Sequence, residues 1–355
     1  MSGLLAFGWA ITRGLQLPRS AMFGYARAVA AAGVVGIAFS SPQVYAFLHF
    51  LGESHIGPHD GDLAHAAFGW PALASSIGTP YLLGPPMGYA QGRIVVETVW
   101  GGIGGYVTAA LIPVAVYGLM RLRDAIAWLL IGWCGLALGK SFGIEPAVTL
   151  MNLVPGVENT AFYRYAPPAW ALAMTILAVR GLDQAAQGPA ESRMPFALAC
   201  IAAVAVVANA GATAASLWPQ LYPVPGLRNA AAGSLTWAVL TGAIVLALLA
   251  RLRAGRSLTA LGFVLVVDAT LMAFIPTLGN PRGGTINGAA IGFLQSNLGF
   301  QRFFTLGPIQ PNYGAYYGIA SINHNYLPVA RAWVDWVRAH LDPGIDEVAY
   351  VGNYP

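Results

Sequence analysis

Residues 195–215 read PFALACIAAVAVVANAGATAA, a run without one charged side chain. A bilayer's hydrocarbon core, about 30 Å thick, takes a helix of about 20 such residues. The run therefore reads as a membrane span. Six further stretches are predominantly apolar, with at most two charged residues each, at 28–51, 94–120, 124–143, 167–182, 234–250 and 258–275. The expected fold is an all-α polytopic membrane protein with about seven transmembrane helices. Stretches 167–182 and 234–250 are short, so they stand with little tilt or pair with half-helices.

Composition points the same way. Charged residues make up 9% of the 355 positions and apolar residues 57%, with a mean hydropathy of +0.61. A soluble globular chain carries about 25% charged residues, so the solvent for most of this chain is not water. The 43 Gly and 24 Pro fall within apolar runs, where neighbouring helices and hydroxyl side chains answer the backbone groups they free. The net charge of +4 comes from arginines placed singly or in pairs between the runs. No basic patch forms, which excludes a nucleic-acid partner. Cys134 and Cys200 lie inside apolar runs and form neither a disulfide framework nor a metal-ligand spacing.

Arginine placement sets the orientation. Arg13, Arg19 and Arg27 precede the first span, and Arg121 and Arg123 follow the second. Arg180 and Arg193 flank the loop after the fourth, and Arg251, Arg253 and Arg256 crowd the loop after the sixth. If each stretch crosses once, these clusters share a side, and positive-inside bias makes that side cytoplasmic. Seven crossings then leave the C-terminal tail outside. The outer loops, 52–93, 144–166 and 216–233, are long and rich in His, Trp, Tyr, Pro and acids. Loops of that size commonly carry function.

Two domains are expected: a multi-span domain over 1–279 and an extracytoplasmic tail over 280–355. In the tail, 300–305 alternates like a strand. Val329, Trp333, Trp336, Val337 and Leu341 recur at helical spacing ahead of Asp342-Pro343-Gly344, and 347–351 reads as a second strand. One helix and two strands bury too little to stand alone. At the other end, the opening residues read as the tail of a helix that begins upstream. The expectation is a chain that continues at both ends.

The first outer loop holds Glu53, His55, His59, Asp60, Asp62 and His65. Its His-x-x-x-His-Asp-x-Asp pattern leaves a divalent metal open, but it matches no zinc spacing, and an exposed loop carries such residues anyway. Lys140 and Glu145 bracket the outer end of the third span. The lysine either snorkels to the headgroups or holds a phosphate. Arg164, between Tyr163 and Tyr165 ahead of Pro167-Pro168, combines a guanidinium, aromatic neighbours and a helix start. That set suits an anion or a sugar ring, or else an interfacial anchor. Asp183 reads as part of a helix-end charge pair with Arg180. Asp268, in mid-span, reads as an interhelical hydrogen bond.

The order of the motifs carries a resemblance. Leu138-Gly139-Lys140, Pro146, Leu153-Val154-Pro155-Gly156-Val157, Tyr163-Arg164, Pro167 and Gly181-Leu182-Asp183 are followed by Val266-Val267-Asp268. Then come Phe293-Leu294, Arg302-Phe303, Pro311-Asn312-Tyr313-Gly314 and Tyr317-Gly318-Ile319-Ala320-Ser321-Ile322. In this order they resemble the YfhO-like bacterial membrane protein family, which is similar to C-type glycosyltransferases. The resemblance covers the last two thirds or more of the chain, corresponding to the family's middle and later part. It implies transfer of a sugar from a polyprenyl-phosphate donor to a cell-envelope polymer or lipid, on the outer face of the bacterial cytoplasmic membrane. It also implies Lys140 and Arg164, with Glu145 nearby, as substrate-binding residues, with membrane lipids as surroundings and no cofactor. The family's essential carboxylate sits in the first outer loop. That loop precedes the part of the family that this chain resembles, so the catalytic residue is left unassigned; only with Met1 as the true start do Asp60 and Asp62 take that place. Pro168-Ala169-Trp170 stands where the family has a second arginine, so a two-arginine clamp is not implied. The competing expectations are a flippase or transporter of a lipid-linked envelope intermediate, and a non-catalytic envelope-assembly scaffold.

Overall fold

The computed structural model describes residues 2–55, 63–68, 73–83, 107–188, 193–221, 223, 225–252, 258–279, 288–303, 313–321, 329–341 and 343–344. The chain forms two compact units, one of residues 1–23 with 63–280, the other of 24–62 with 281–355. Residues 24–62 thus group with the tail that the sequence separates at 280.

The first unit is helical. It comprises α1 (Ser2–Leu15), α3 (Leu73–Gly78), α4 (Leu111–Leu119), α5 (Ala125–Ser141), α6 (Glu145–Asn152), α7 (Phe162–Tyr165), α8 (Pro167–Ala186), α9 (Met194–Ser216), α10 (Trp218–Leu221), α11 (Pro225–Arg251) and α12 (Leu258–Gly279). Proline opens several of these helices: Pro146 in α6, Pro167 in α8 and Pro195 in α9. At that position its missing N–H costs nothing. Asp124 caps α5 by accepting from the Ala127 N–H at 2.9 Å. Both carboxylate oxygens of Asp124 also accept from Arg180 of α8, at 3.1 and 2.6 Å. The arginine expected to pair with Asp183 pairs with Asp124, and Asp183 is exposed. Arg121 donates to the Gln184 and Gly188 carbonyls, closing the C-terminal end of α8.

Small residues set the helix packing. Ala173 and Ala178 of α8, Ala199 and Ala210 of α9, and Ala231 and Ala238 of α11 are all buried. Inside lipid there is no hydrophobic drive between helices, and such residues let backbones approach closely. A very close approach joins α4 to α8, where a Cβ on Gly181 would lie 1.9 Å from the Gly118 Cα.

Among the described residues, three helices are long and apolar enough to cross a membrane: α2 (Arg19–Gly52), α9 and α11. A fourth candidate is the pair α5 and α6, bent by 105°. Stretches 28–51, 195–215 and 234–250 fall within the three helices, and 124–143 falls on the bent pair. Stretches 167–182 and 258–275 are helical in α8 and α12. Of 94–120, residues 94–106 lie outside the described residues.

The second unit holds most of α2, then β1 (Ser54–His55), α13 (Gly288–Asn297), α14 (Tyr313–Tyr317), β2 (Val329–Ala330) and α15 (Arg331–His340). No residue of α2 is buried. Val34, Ile37, Phe39, Tyr45, Leu48 and Phe50 point out around its circumference, all exposed. Exposing one such side chain to water forfeits about 1.5–3 kcal/mol. Six together approach a whole domain's stability of about 5–15 kcal/mol. Lipid, not water, is the solvent that this surface fits. Pro42 lies inside α2 and has no N–H for the Ala38 carbonyl four residues back, but the Ser41 hydroxyl donates to that carbonyl at 2.9 Å. In the tail, β1 and β2 pair antiparallel, Ser54 opposite Ala330 and His55 opposite Val329. The helix expected from the 329–341 spacing is α15. The strand expected at 300–305 is described only as a parallel bridge from Phe303 to Ser321, and 347–351 lies outside the described residues.

Candidate functional site

The bend between α5 and α6 holds the first locus. Gly143 ends α5 at φ +69°, a left-handed conformation that an L side chain resists. Its N–H donates to Lys140 O at 3.1 Å, and the Ile144 N–H donates to Gly139 O at 2.9 Å. This doubled closure is a Schellman motif. It turns the chain at once into α6, where a Cβ on Gly139 would come within 2.6 Å of the Ala147 Cβ.

Lys140 points into this bend and is only 1% exposed. Its ammonium donates to Ala64 O at 2.9 Å and to Asn152 Oδ1, and lies 5.8 Å from the Phe162 ring centroid. The Asn152 amide donates to the same Ala64 carbonyl at 3.2 Å. The Phe68 N–H donates to Ser141 O at 2.8 Å, and the Phe68 ring packs on Phe142 and Tyr163 at 5.0 and 5.2 Å. Residues 63–68 are thereby tied to the ends of α5 and α6. Lys140 does not snorkel. It holds the 63–68 segment at Ala64 O, two residues after Asp62 in the sequence, and a cation at a helix C-terminus is favourable there.

The other expected site residues are distributed as follows. Glu145 is exposed in the first turn of α6, where its negative charge complements the helix dipole. Arg164 belongs to α7, and its side chain lies outside the described residues, as do His59, Asp60 and Asp62. Glu53 is exposed, 3.9 Å from His49. Among the described residues no three His, Cys, Asp or Glu side chains converge as metal ligands.

The second locus is a cavity of about 420 Å³. Its walls are residues 78–81, Thr108 and Ala109, α11 from Asn229 to Ala238, and Leu271 and Met272 of α12. The 73–83 segment enters among the helices. Leu82 and Leu83 are buried with Ala210, Ala214 and Ala231, and a Cβ on Gly78 would meet Val206 and Ile112 at 2.9 and 3.0 Å. Ser234 donates its hydroxyl to Pro80 O. Tyr81 has φ +67°, a left-handed backbone that a bulky side chain adopts only under constraint. The Tyr81 hydroxyl donates to Met272 O. Four residues on, Pro276 has no N–H to give that carbonyl.

Asp268 lies one turn before Met272 and is 1% exposed. Its Oδ1 accepts from the Trp237 indole N–H at 2.7 Å, the interhelical bond expected of it. Its Oδ2 is buried with no hydrogen-bond partner among the described residues. The indole it holds forms part of the cavity wall. Sequence reasoning missed Tyr81 and Trp237. The one signal for Tyr81 was Pro276, which leaves a carbonyl in want of a donor. A cavity of this make-up, mostly apolar with a few hydroxyls and one buried acid nearby, suits an apolar chain more than a polar solute.

No family model, no curated protein and no solved structure matches the chain.

Proposed function

We propose that the chain is a seven-span protein of the bacterial cytoplasmic membrane that transfers a sugar from a polyprenyl-phosphate donor to a cell-envelope acceptor on the outer face. In this reading the N-terminal side is cytoplasmic and the tail extracytoplasmic. The cavity beside α11 and α12 carries the proposal, because a lipid-linked donor brings a long apolar tail that needs an apolar seat within the membrane. The order of the YfhO-like motifs supports the chemistry. With Met1 as the true start, Asp60 or Asp62 acts as the base that takes the acceptor's proton, while Arg164 and Glu145 contact the donor head. Lys140 is a positioning residue, since its hydrogen bonds go to the loop that follows Asp62.

The test is the fate of a polyprenyl-phosphate-linked sugar given to the purified protein in nanodiscs with an envelope-lipid acceptor. The expected result is transfer of the sugar, slowed by about 100-fold or more in Asp60→Asn/Asp62→Asn, as for loss of a general base. Donor that binds and stays intact, with no transfer under any acceptor, would overturn the enzymatic reading. A transporter of lipid-linked intermediates is the second reading. The unpartnered Oδ2 of Asp268 in mid-span favours it, since intramembrane carboxylates often serve ion or substrate pathways. Movement of intact donor across proteoliposomes, lost in Asp268→Asn, is its signature.

A further inference from the structure

The second unit joins the end of α2 to α15 within a few residues. Helix α2 ends at Gly52 and β1 begins at Ser54. Ser54 pairs with Ala330, and the Arg331 N–H that opens α15 donates to Glu53 O at 2.9 Å. The first turn of α15 is therefore fixed to the end of α2. The apolar part of α2, 28–51, is about 36 Å long at 1.5 Å per residue, enough to cross the hydrocarbon core of about 30 Å. Its last turns carry Tyr45, Phe47, His49 and Phe50, the amphipathic and aromatic types that collect at a membrane–water boundary. If α2 crosses, its end lies at headgroup level, and so does whatever is fastened there.

Helix α15 is built for that level. Val334 and Val337 are buried against its own unit. Beside them runs a stripe that the unit leaves partly open: Trp333, Trp336 and His340, with Trp336 43% exposed and Leu341 52%. The rings stack, Trp333 on Trp336 at 5.2 Å and Trp336 on His340 at 4.9 Å. The Arg302 guanidinium lies 5.4 Å from the Trp333 ring centroid. Arg331 and Arg338 add positive charge against the single acid Asp335. Stacked indoles beside arginines are the composition of a helix that lies in an anionic interface.

We propose that α15 is an interfacial helix that rests its Trp336–His340 edge on the anionic phospholipid surface at the end of α2. The inference rests on α2 crossing the membrane, and the test separates the two. Full-length protein carrying Cys134→Ala and Cys200→Ala takes one new cysteine at a time: Phe39→Cys, Asp335→Cys, His340→Cys or Leu341→Cys. Each is reacted with a charged maleimide in nanodiscs of phosphatidylglycerol and phosphatidylcholine in equal parts, where both leaflets are open to reagent. The expected result is that Phe39→Cys is inert and that His340→Cys and Leu341→Cys react about tenfold more slowly than Asp335→Cys. In phosphatidylcholine alone, or with Arg331→Glu/Arg338→Glu, that protection is expected to fall. Fast labelling at 340 and 341 with Phe39→Cys still protected would overturn the proposal and leave the span intact. Fast labelling at Phe39→Cys as well would overturn both. Protection that ignores lipid charge and grows with the number of protein copies per disc would assign the face to a second copy, against the proposal.

Discussion

Gly181→Ala is expected to be among the most damaging single-methyl changes in the chain, costing about 3 kcal/mol or more as overpacking against a fixed neighbour. The added Cβ would sit 1.9 Å from the Gly118 Cα and 2.8 Å from its carbonyl carbon. Both are backbone atoms, so no rotamer change relieves the clash, and α4 and α8 must separate. Parting them opens the buried seam that Ala178 and Leu182 share with Val114 and Tyr117. Gly132→Ala is the control, since nothing lies within 4 Å of its added Cβ. There the better helix propensity of alanine, up to about 1 kcal/mol, is expected to leave stability unchanged or raised. Thermal unfolding of the two variants in detergent checks the contrast. Equal melting temperatures would show that the α4–α8 crossing does not depend on the two glycines.

The second large effect is at Lys140. Lys140→Met keeps an unbranched apolar side chain as far as Cε and removes the ammonium that Ala64 O and Asn152 Oδ1 accept from. Hydrogen bonds from a charged group are worth about 1.5–3 kcal/mol, and although Ala64 O keeps the Asn152 amide as a donor, both bonds from the ammonium are lost. A loss of about 3 kcal/mol follows, confined first to residues 63–68. Hydrogen exchange reads it directly: the Phe68 amide, which donates to Ser141 O, is expected to lose protection ahead of α9 or α11. Glu145→Gln, on the exposed side of the same bend, is expected to stay within about 0.5 kcal/mol of the parent. Unchanged protection at Phe68 in Lys140→Met would mean that the lysine does not hold the loop.

The contrast between these residues shows what the sequence could tell. Helices α2, α9 and α11 were legible because lipid demands one property along a whole segment, and an unbroken apolar run displays it. Helix α15 was legible from the spacing of its apolar residues. The bend at Gly143 was half legible. Gly143 and Pro146 mark a turn, but nothing in a one-dimensional pattern folds α6 back so that Lys140 meets Asn152. The entry of 73–83 among the helices was not legible, because it depends on small residues of α9 and α11 far along the chain. The Arg180–Asp124 pair spans 56 positions, whereas Asp183 stood three away and misled. Tyr81 illustrates the general limit: its hydroxyl donates to the Met272 carbonyl 191 positions away, and only the folded chain brings the two together.

The proposed transfer of a lipid-linked sugar needs the cavity beside α11 and α12 to seat the donor's apolar tail. A polyprenyl phosphate carrying a diazirine near its tail end, photolysed with the protein in nanodiscs, reports where that tail lies. Cross-links are expected between Asn229 and Ala238 and at Leu271 or Met272, removed by excess unmodified polyprenyl phosphate. Labelling that competitor does not remove, or that falls only on outward faces such as Phe39 and Val204, would contradict that seating.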